Sequence, residues 1–331
     1  MQLRKDKFNQ VDSSKRQRML FILIIVVLVL TNVGSFVWFS RQSNSAQDYA
    51  ITHPYIDASR NFIAQEHFIV NLQPLREELR AMADEFGNNE ASIYIEFLNT
   101  GANIAINQDN YIWPASLVKV PLAMAVMKKI EDKVWKFSNE LVLLAGDRDD
   151  DSGAVGEAVW EHPIGTRLTI ELLLKELLIN SDNNAHNILY RNLDADDVEQ
   201  VIEALGIETL FDQIGKVSAK DYSRIFRSLY NASFLNRENS QQVLEWLDAA
   251  VFDEFLTYPL PKQLSFPHKY GENFDVRAYA DSGIIYIPNR PYLITVMVQG
   301  DLNAPLEQDK QRAAEFMRLA SQKTYEYFSS Y

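Results

Sequence analysis

From Met19 to Phe39 the chain reads MLFILIIVVLVLTNVGSFVWF, 21 residues without a charge. A surface helix of a globular domain is not apolar all round, and at 1.5 Å per residue this stretch can cross a bilayer core of roughly 30 Å. Trp38 and Phe39 fall where an interfacial aromatic is expected. Arg4, Lys5, Lys7, Lys15, Arg16 and Arg18 precede the run, against Asp6 and Asp12 alone. The positive-inside rule therefore keeps that end in the cytoplasm and exports the rest. A cleaved signal peptide would have a shorter apolar region and a small-x-small site, of which SNSAQ is a poor version. The expected organisation is a basic cytoplasmic tail over 1–18, a single-pass membrane anchor over 19–39, a stalk over 40–68 and an extracytoplasmic domain over 69–331.

Hydrophobic residues make up 47% of the 331, enough for a substantial core. The net charge is −13, and the exported part is more acidic still once the basic tail is set aside. That disfavours nucleic acid and anionic lipid as partners. There is no cysteine, which excludes disulfides, thiolate chemistry and a lipid-modified cysteine anchor. The five histidines, His53, His67, His162, His186 and His268, lack metal-ligand spacing, so no metal or other cofactor is expected. DRDDDSG, Asp147–Gly153, fails the EF-hand pattern, since its glycine falls one position late and Ala158 stands at the twelfth position. It reads as a solvated turn.

In the exported part, PLREELRAMADEFG from Pro74 to Gly87 has helical apolar spacing with proline near its start and glycine after its end. ASIYIEFLNTGANIAINQ predicts a hairpin around Asn99-Thr100-Gly101. Helical signals then dominate from Asn139 to about Asn236. Strands return in QLSFPHKYG, VRAYADSGIIYIP and PYLITVMVQG, and a last helix runs from about Pro305 to Phe328. Strands at both ends with helices between predict an α+β domain, its antiparallel sheet built from N- and C-terminal strands, plus a mainly helical lobe.

WPASLVKVPLAMAVMKK places Ser116 and Lys119 three apart in an apolar segment. Either the lysine is the polar side of a helix, or it takes the proton from Ser116 and makes it a nucleophile. Positions i and i+3 share a helix face, and burial lowers a lysine's pKa toward the range of a general base. A serine at a helix start also faces free backbone N–H groups at the positive end of the dipole. INSDNNAHN adds Ser181-Asp182-Asn183 between two helices, where serine and aspartate also serve as caps. FPHKYGE adds Lys269-Tyr270-Gly271 at a strand, where the lysine could equally be a solvated strand end.

In order and context these three elements resemble the S-x-x-K, S-D-N and K-T-G motifs of the class A β-lactamases and penicillin-binding proteins. The resemblance runs from about residue 70 to the end. It implies a serine hydrolase with catalytic Ser116, Lys119 and Ser181, the last relaying a proton to the leaving nitrogen. It also implies Asn183, Lys269, Tyr270 and Gly271 as substrate contacts, with Lys269 holding the Ser181 hydroxyl and attracting a substrate carboxylate. The backbone N–H groups of Ser116 and Glu272 would form the oxyanion hole. The implied substrate is a β-lactam or a peptidoglycan-type peptide, handled by a monomeric domain. Two positions depart. Tyrosine replaces the threonine of K-T-G, and no E-x-x-L-N occurs between the S-D-N helix and SAKDYSRIF. Acylation therefore looks equipped and deacylation slow, unless Glu208 or Asp212 substitutes. The other reading is a weak or inactive relative that binds cell-wall peptide or a partner protein in the same cleft. No G-x-S-x-G marks a Ser-His esterase.

Overall fold

The computed structural model describes residues 55–56, 71–87, 90–149, 159–207 and 215–330, together with Met19, Leu23 and Thr31. The cytoplasmic tail, nearly all of the expected anchor, most of the stalk, Glu208 and Asp212 lie outside the described residues. No helix among the described residues is long and apolar enough to cross a membrane. By packing the chain divides into two units, Met1–Pro54 with Ala58–Ile63, and Tyr55–Asp57 with Ala64–Tyr331. The elements below belong to the second.

Helix α1, Gln73–Phe86, buries Leu75, Leu79 and Ala83 on one face, as its sequence spacing predicts. Strands β1, Ala91–Phe97, and β2, Ala102–Ile106, form the expected hairpin, with Ile93 opposite Ile106 and Phe97 opposite Ala102. Gly101 takes φ +76° in its turn, a conformation that costs glycine nothing. The strands β5, His268–Asn273, β6, Ala278–Ile285, and β7, Tyr292–Gln299, complete the sheet, in the antiparallel order β2-β1-β7-β6-β5. N- and C-terminal strands thus share one sheet.

That sheet is buried on both faces, which explains runs such as YLITVMVQ with little polar alternation. Ile93, Ile95, Tyr292, Ile294 and Val296 pack on α1 and on the long closing helix, Leu306–Ser329. The opposite face, through Tyr94, Leu293 and Met297, packs on the helical lobe. The lobe holds α2, Lys119–Glu131, α3, Ile170–Ile179, α4, Asn183–Asn192, α5, Ala195–Ala204, α6, Ala219–Asn231, and α7, Arg237–Asp248. The closing helix is α8. One correction concerns the stretch read as helical from Asn139 onward. Two three-residue strands, β3, Glu140–Val142, and β4, Arg167–Thr169, pair there as a separate ribbon.

Two further findings differ from the sequence reading. Asp147 is not a solvated turn residue. It is 2% exposed and paired with Arg191, whose Nε lies 2.7 Å from Oδ1. In the stretch read as a stalk, Ile56 is buried in the lobe's core and Tyr55 is tied to α7. The Tyr55 N–H donates to Gln241 at 2.9 Å and its hydroxyl to Asp248 at 2.5 Å.

Candidate active site

Ser116 lies in a 3₁₀ turn, Ala115–Val118, that runs directly into α2 at Lys119. Pro121 is the third residue of α2, early enough that its missing N–H costs no interior hydrogen bond. Ala115, just before the serine, has φ +49°. An L-residue in the left-handed region is strained by about 1–3 kcal/mol and persists only where its surroundings enforce it. The buried Tyr222 of α6 supplies one restraint, its hydroxyl donating to the Leu117 carbonyl at 2.8 Å. Strand β5 supplies another. A Cβ on Gly271 would lie 2.8 Å from the Ser116 N and 2.9 Å from the Pro114 carbonyl. Only glycine lets the strand lie this close to the serine turn. Ser116 itself stays half-buried, while Lys119, three residues on, is 3% exposed.

The Lys119 amine reaches the S-D-N segment. It donates to the carbonyl of Ser181, to the Ser181 hydroxyl at 3.2 Å and to Asn183 Oδ1 at 2.5 Å. Ser181 is a second left-handed residue, φ +58°, set between the end of α3 and the start of α4. Asp182 caps α4, with Oδ1 accepting the Ala185 N–H at 2.8 Å. Its other oxygen accepts the Val159 N–H at 3.3 Å, and Asn184 Oδ1 accepts the Asp149 N–H at 3.1 Å. Capping and site-building are therefore one structure, since the same segment carries Ser181 and pins residues 149 and 159.

On the sheet side, Lys269 is 1% exposed, and its amine donates to the carbonyl of its neighbour Tyr270 at 2.9 Å. The amine also lies 4.2 Å from the centroid of the Tyr270 ring. Burial pushes this lysine well below its ordinary pKa, and the charge of Lys119 pushes it further, against Asp281 and Glu272. The Tyr270 ring stacks on Phe252 with centroids 3.6 Å apart and planes 7° apart. Burial and the charge of Glu272 push its phenol up to about 12, opposed by a hydrogen bond with Ser181. Glu272, two residues on, faces Lys310 at 3.1 Å, and burial raises its carboxyl despite that cation. The sequence-derived residues thus converge from two directions, with Lys119 joined to Ser181 and Asn183, and Gly271 against Ser116.

A profile of the β-lactamase enzyme family matches residues 74–328. The chain belongs to this family. Its fold is similar to that of PBP-A, with a TM-score of 0.68 and 21% identity over 78% of this chain and 97% of that one. It is also similar to a β-lactamase of Sphaerobacter thermophilus, with a TM-score of 0.66 and 20% identity over 79% and 99% of the two chains. A curated relative, the β-lactamase regulatory protein BlaB of Streptomyces cacaoi, is 29% identical over 142 residues. The match spans 43% of this chain and 44% of that protein, less than half of each.

Within this β-lactamase-family domain, three features escaped sequence reasoning. The left-handed backbone at Ala115 and Ser181 leaves no trace in residue type, because alanine and serine do not favour it. Phe252, the support beneath Tyr270, lies in an irregular segment without periodicity. His186 sits close enough for the charge of Lys119 to act on it. Burial holds that imidazole below its ordinary pKa and Lys119 adds to the effect. Its place at the fourth residue of α4, one turn beyond Asn183, was the available signal.

Proposed function

We propose that this domain is an acyl-serine enzyme, with Ser116 as nucleophile and Lys119 as its base. The carrying observation is the buried Lys119 amine, one turn from Ser116 and hydrogen-bonded to both Ser181 and Asn183. Ser116 Oγ bonds to the carbonyl carbon of a β-lactam or peptidoglycan-type amide while its proton passes to Lys119. The C–N bond breaks and the leaving nitrogen takes a proton through Ser181. The N–H groups of Ser116 and Glu272 hold the carbonyl oxygen as it gains charge. Water later cleaves the acyl ester, releasing an acid and restoring the serine. That second step is slow, because no E-x-x-L-N glutamate is available to activate the water.

In this reading the domain works outside the cell, held to the membrane by the apolar stretch 19–39 and monomeric. The test is intact-mass measurement of the full chain with a fluorescent penicillin. A stable adduct is expected on the wild type and none on Ser116→Ala. Equal labelling of both, or of neither, removes the catalytic reading. A second reading, a non-catalytic relative that binds cell-wall peptide or a partner, is favoured by the partial match to a regulatory protein. It predicts no covalent label at all.

A further inference from the structure

On the sheet side of the site the Lys269 amine is buried and covered by a ring. Lys269 is 1% exposed, its amine donates to a carbonyl of its own strand, and the Tyr270 ring lies 4.2 Å away over it. The ring cannot easily turn aside, because Phe252 is stacked against it at 3.6 Å and itself packs edge-on against Phe255 at 4.9 Å. Tyr270 is 8% exposed. The charges around the phenol are mostly of one sign, since Glu272, Glu254 and Asp281 all act on it. Lys310 is spent between two of them, 3.1 Å from Glu272 and 3.3 Å from Glu254. The Lys119 amine is engaged with Ser181 and Asn183. A ligand carboxylate brought to this wall would lose its water and meet an aromatic face and like charges, a costly exchange.

We infer that Tyr270 is a specificity-determining residue that closes this wall to carboxylates, so that the domain selects acyl donors whose leaving-group side is neutral or cationic. Among the acyl donors of that reading, an ester or an amide inside a longer chain is then preferred over one flanked by a free carboxylate, such as a penicillin, which still acylates but more slowly. This deepens the acyl-serine reading and rests on it.

The experiment uses the full chain and a pair of acyl donors that differ in one charge, benzylpenicillin and its methyl ester. Adduct formation is followed by intact mass, and each rate is normalised to the compound's own alkaline hydrolysis. The wild type is expected to acylate with the ester at least as fast as with the free acid. Tyr270→Thr, which uncovers Lys269, is expected to raise the acid-to-ester ratio about tenfold, the effect of one hydrogen bond between charged groups. Tyr270→Phe keeps the ring and is expected to hold the ratio at the wild-type value. Phe252→Leu loosens the stack and is expected to move the ratio in the direction of the threonine variant, by less. The wild-type comparison needs no variant to fold. A wild type that favours the free acid about tenfold, or a ratio unmoved in Tyr270→Thr, overturns the inference while leaving Ser116 as nucleophile. Absence of any adduct on Ser116 from either compound overturns this inference and the acyl-serine reading together.

Discussion

The two walls of the cleft are built by different means. On the helical side the positions of Ser116, Lys119 and Ser181 are imposed by backbone. A 3₁₀ start, two left-handed residues and a capped helix leave these side chains little choice. On the sheet side the backbone of β5 is regular, paired residue by residue with β6, and the chemistry depends on where side chains turn. Tyr270 there meets the Lys269 amine, the Phe252 ring and Ser181 at once. The helical side is therefore fixed chiefly by backbone and the sheet side by side-chain contacts.

The largest effect that tests this contrast is expected at Lys119. Lys119→Ala removes the amine that joins the two serine motifs and should slow acylation of Ser116 by about 10²–10⁴-fold, the range of a lost general base. The rate of adduct formation by intact mass measures it. A loss below tenfold would mean that the helical wall is scaffold and the base lies elsewhere. Next comes the seam between the walls. Gly271→Ala places a Cβ 2.8 Å from the Ser116 N, so strand and turn must part. Acylation should fall by about 10²–10³-fold, as when one oxyanion donor is lost, and the melting temperature should fall with it, since both close contacts are backbone. An unchanged rate would separate β5 from the oxyanion site.

A smaller effect concerns what holds α4 in place. Its start is capped by Asp182, which accepts the Ala185 N–H, and near its other end Arg191 donates to both oxygens of Asp147 and to the Val142 carbonyl. Burial alone would raise the Asp147 carboxyl, but Arg191 and the Leu144 N–H hold it below the ordinary carboxylate range. A depressed folded value means that this stabilisation is complete above the unfolded pKa of about 3.9 and fades as pH falls through the folded one. Asp147→Asn should therefore cost about 1–3 kcal/mol in urea unfolding at neutral pH. The gap to wild type should narrow below about pH 4. A gap that does not change with pH would assign the loss to packing.

How much of this was legible in the chain follows the same division. The trio Ser116–Lys119, Ser181-Asp182-Asn183 and Lys269–Gly271 stood out through its resemblance to the family motifs, and its first two members sit at helix starts, whose signals are local. The five-stranded sheet could be read because its strands are long and flanked by turn residues. The ribbon β3–β4 could not, since three residues are too few to show a period. The partner of Asp147 lies 44 positions away, and nothing in an acidic run announces it. Tyr270 was legible as a departure, but its direction depends on Phe252, in an irregular segment far from any motif.

The smallest effect tests whether backbone alone holds the serine turn. Tyr222 is fully buried, and burial together with the charge of Asp281 keeps its hydroxyl protonated far beyond the ordinary tyrosine range. It is thus a permanent donor to the carbonyl of Leu117, the next residue after Ser116. Tyr222→Phe keeps the ring's volume and removes one donor, which should cost about 1 kcal/mol of stability. If the left-handed step at Ala115 and the close approach of β5 suffice to fix Ser116, acylation should fall less than about tenfold, since 1.4 kcal/mol is the tenfold mark. A fall as deep as that of Lys119→Ala, at unchanged melting temperature, would mean instead that a side chain of α6 sets the nucleophile, and that the helical wall is as dependent on single side chains as the sheet wall opposite.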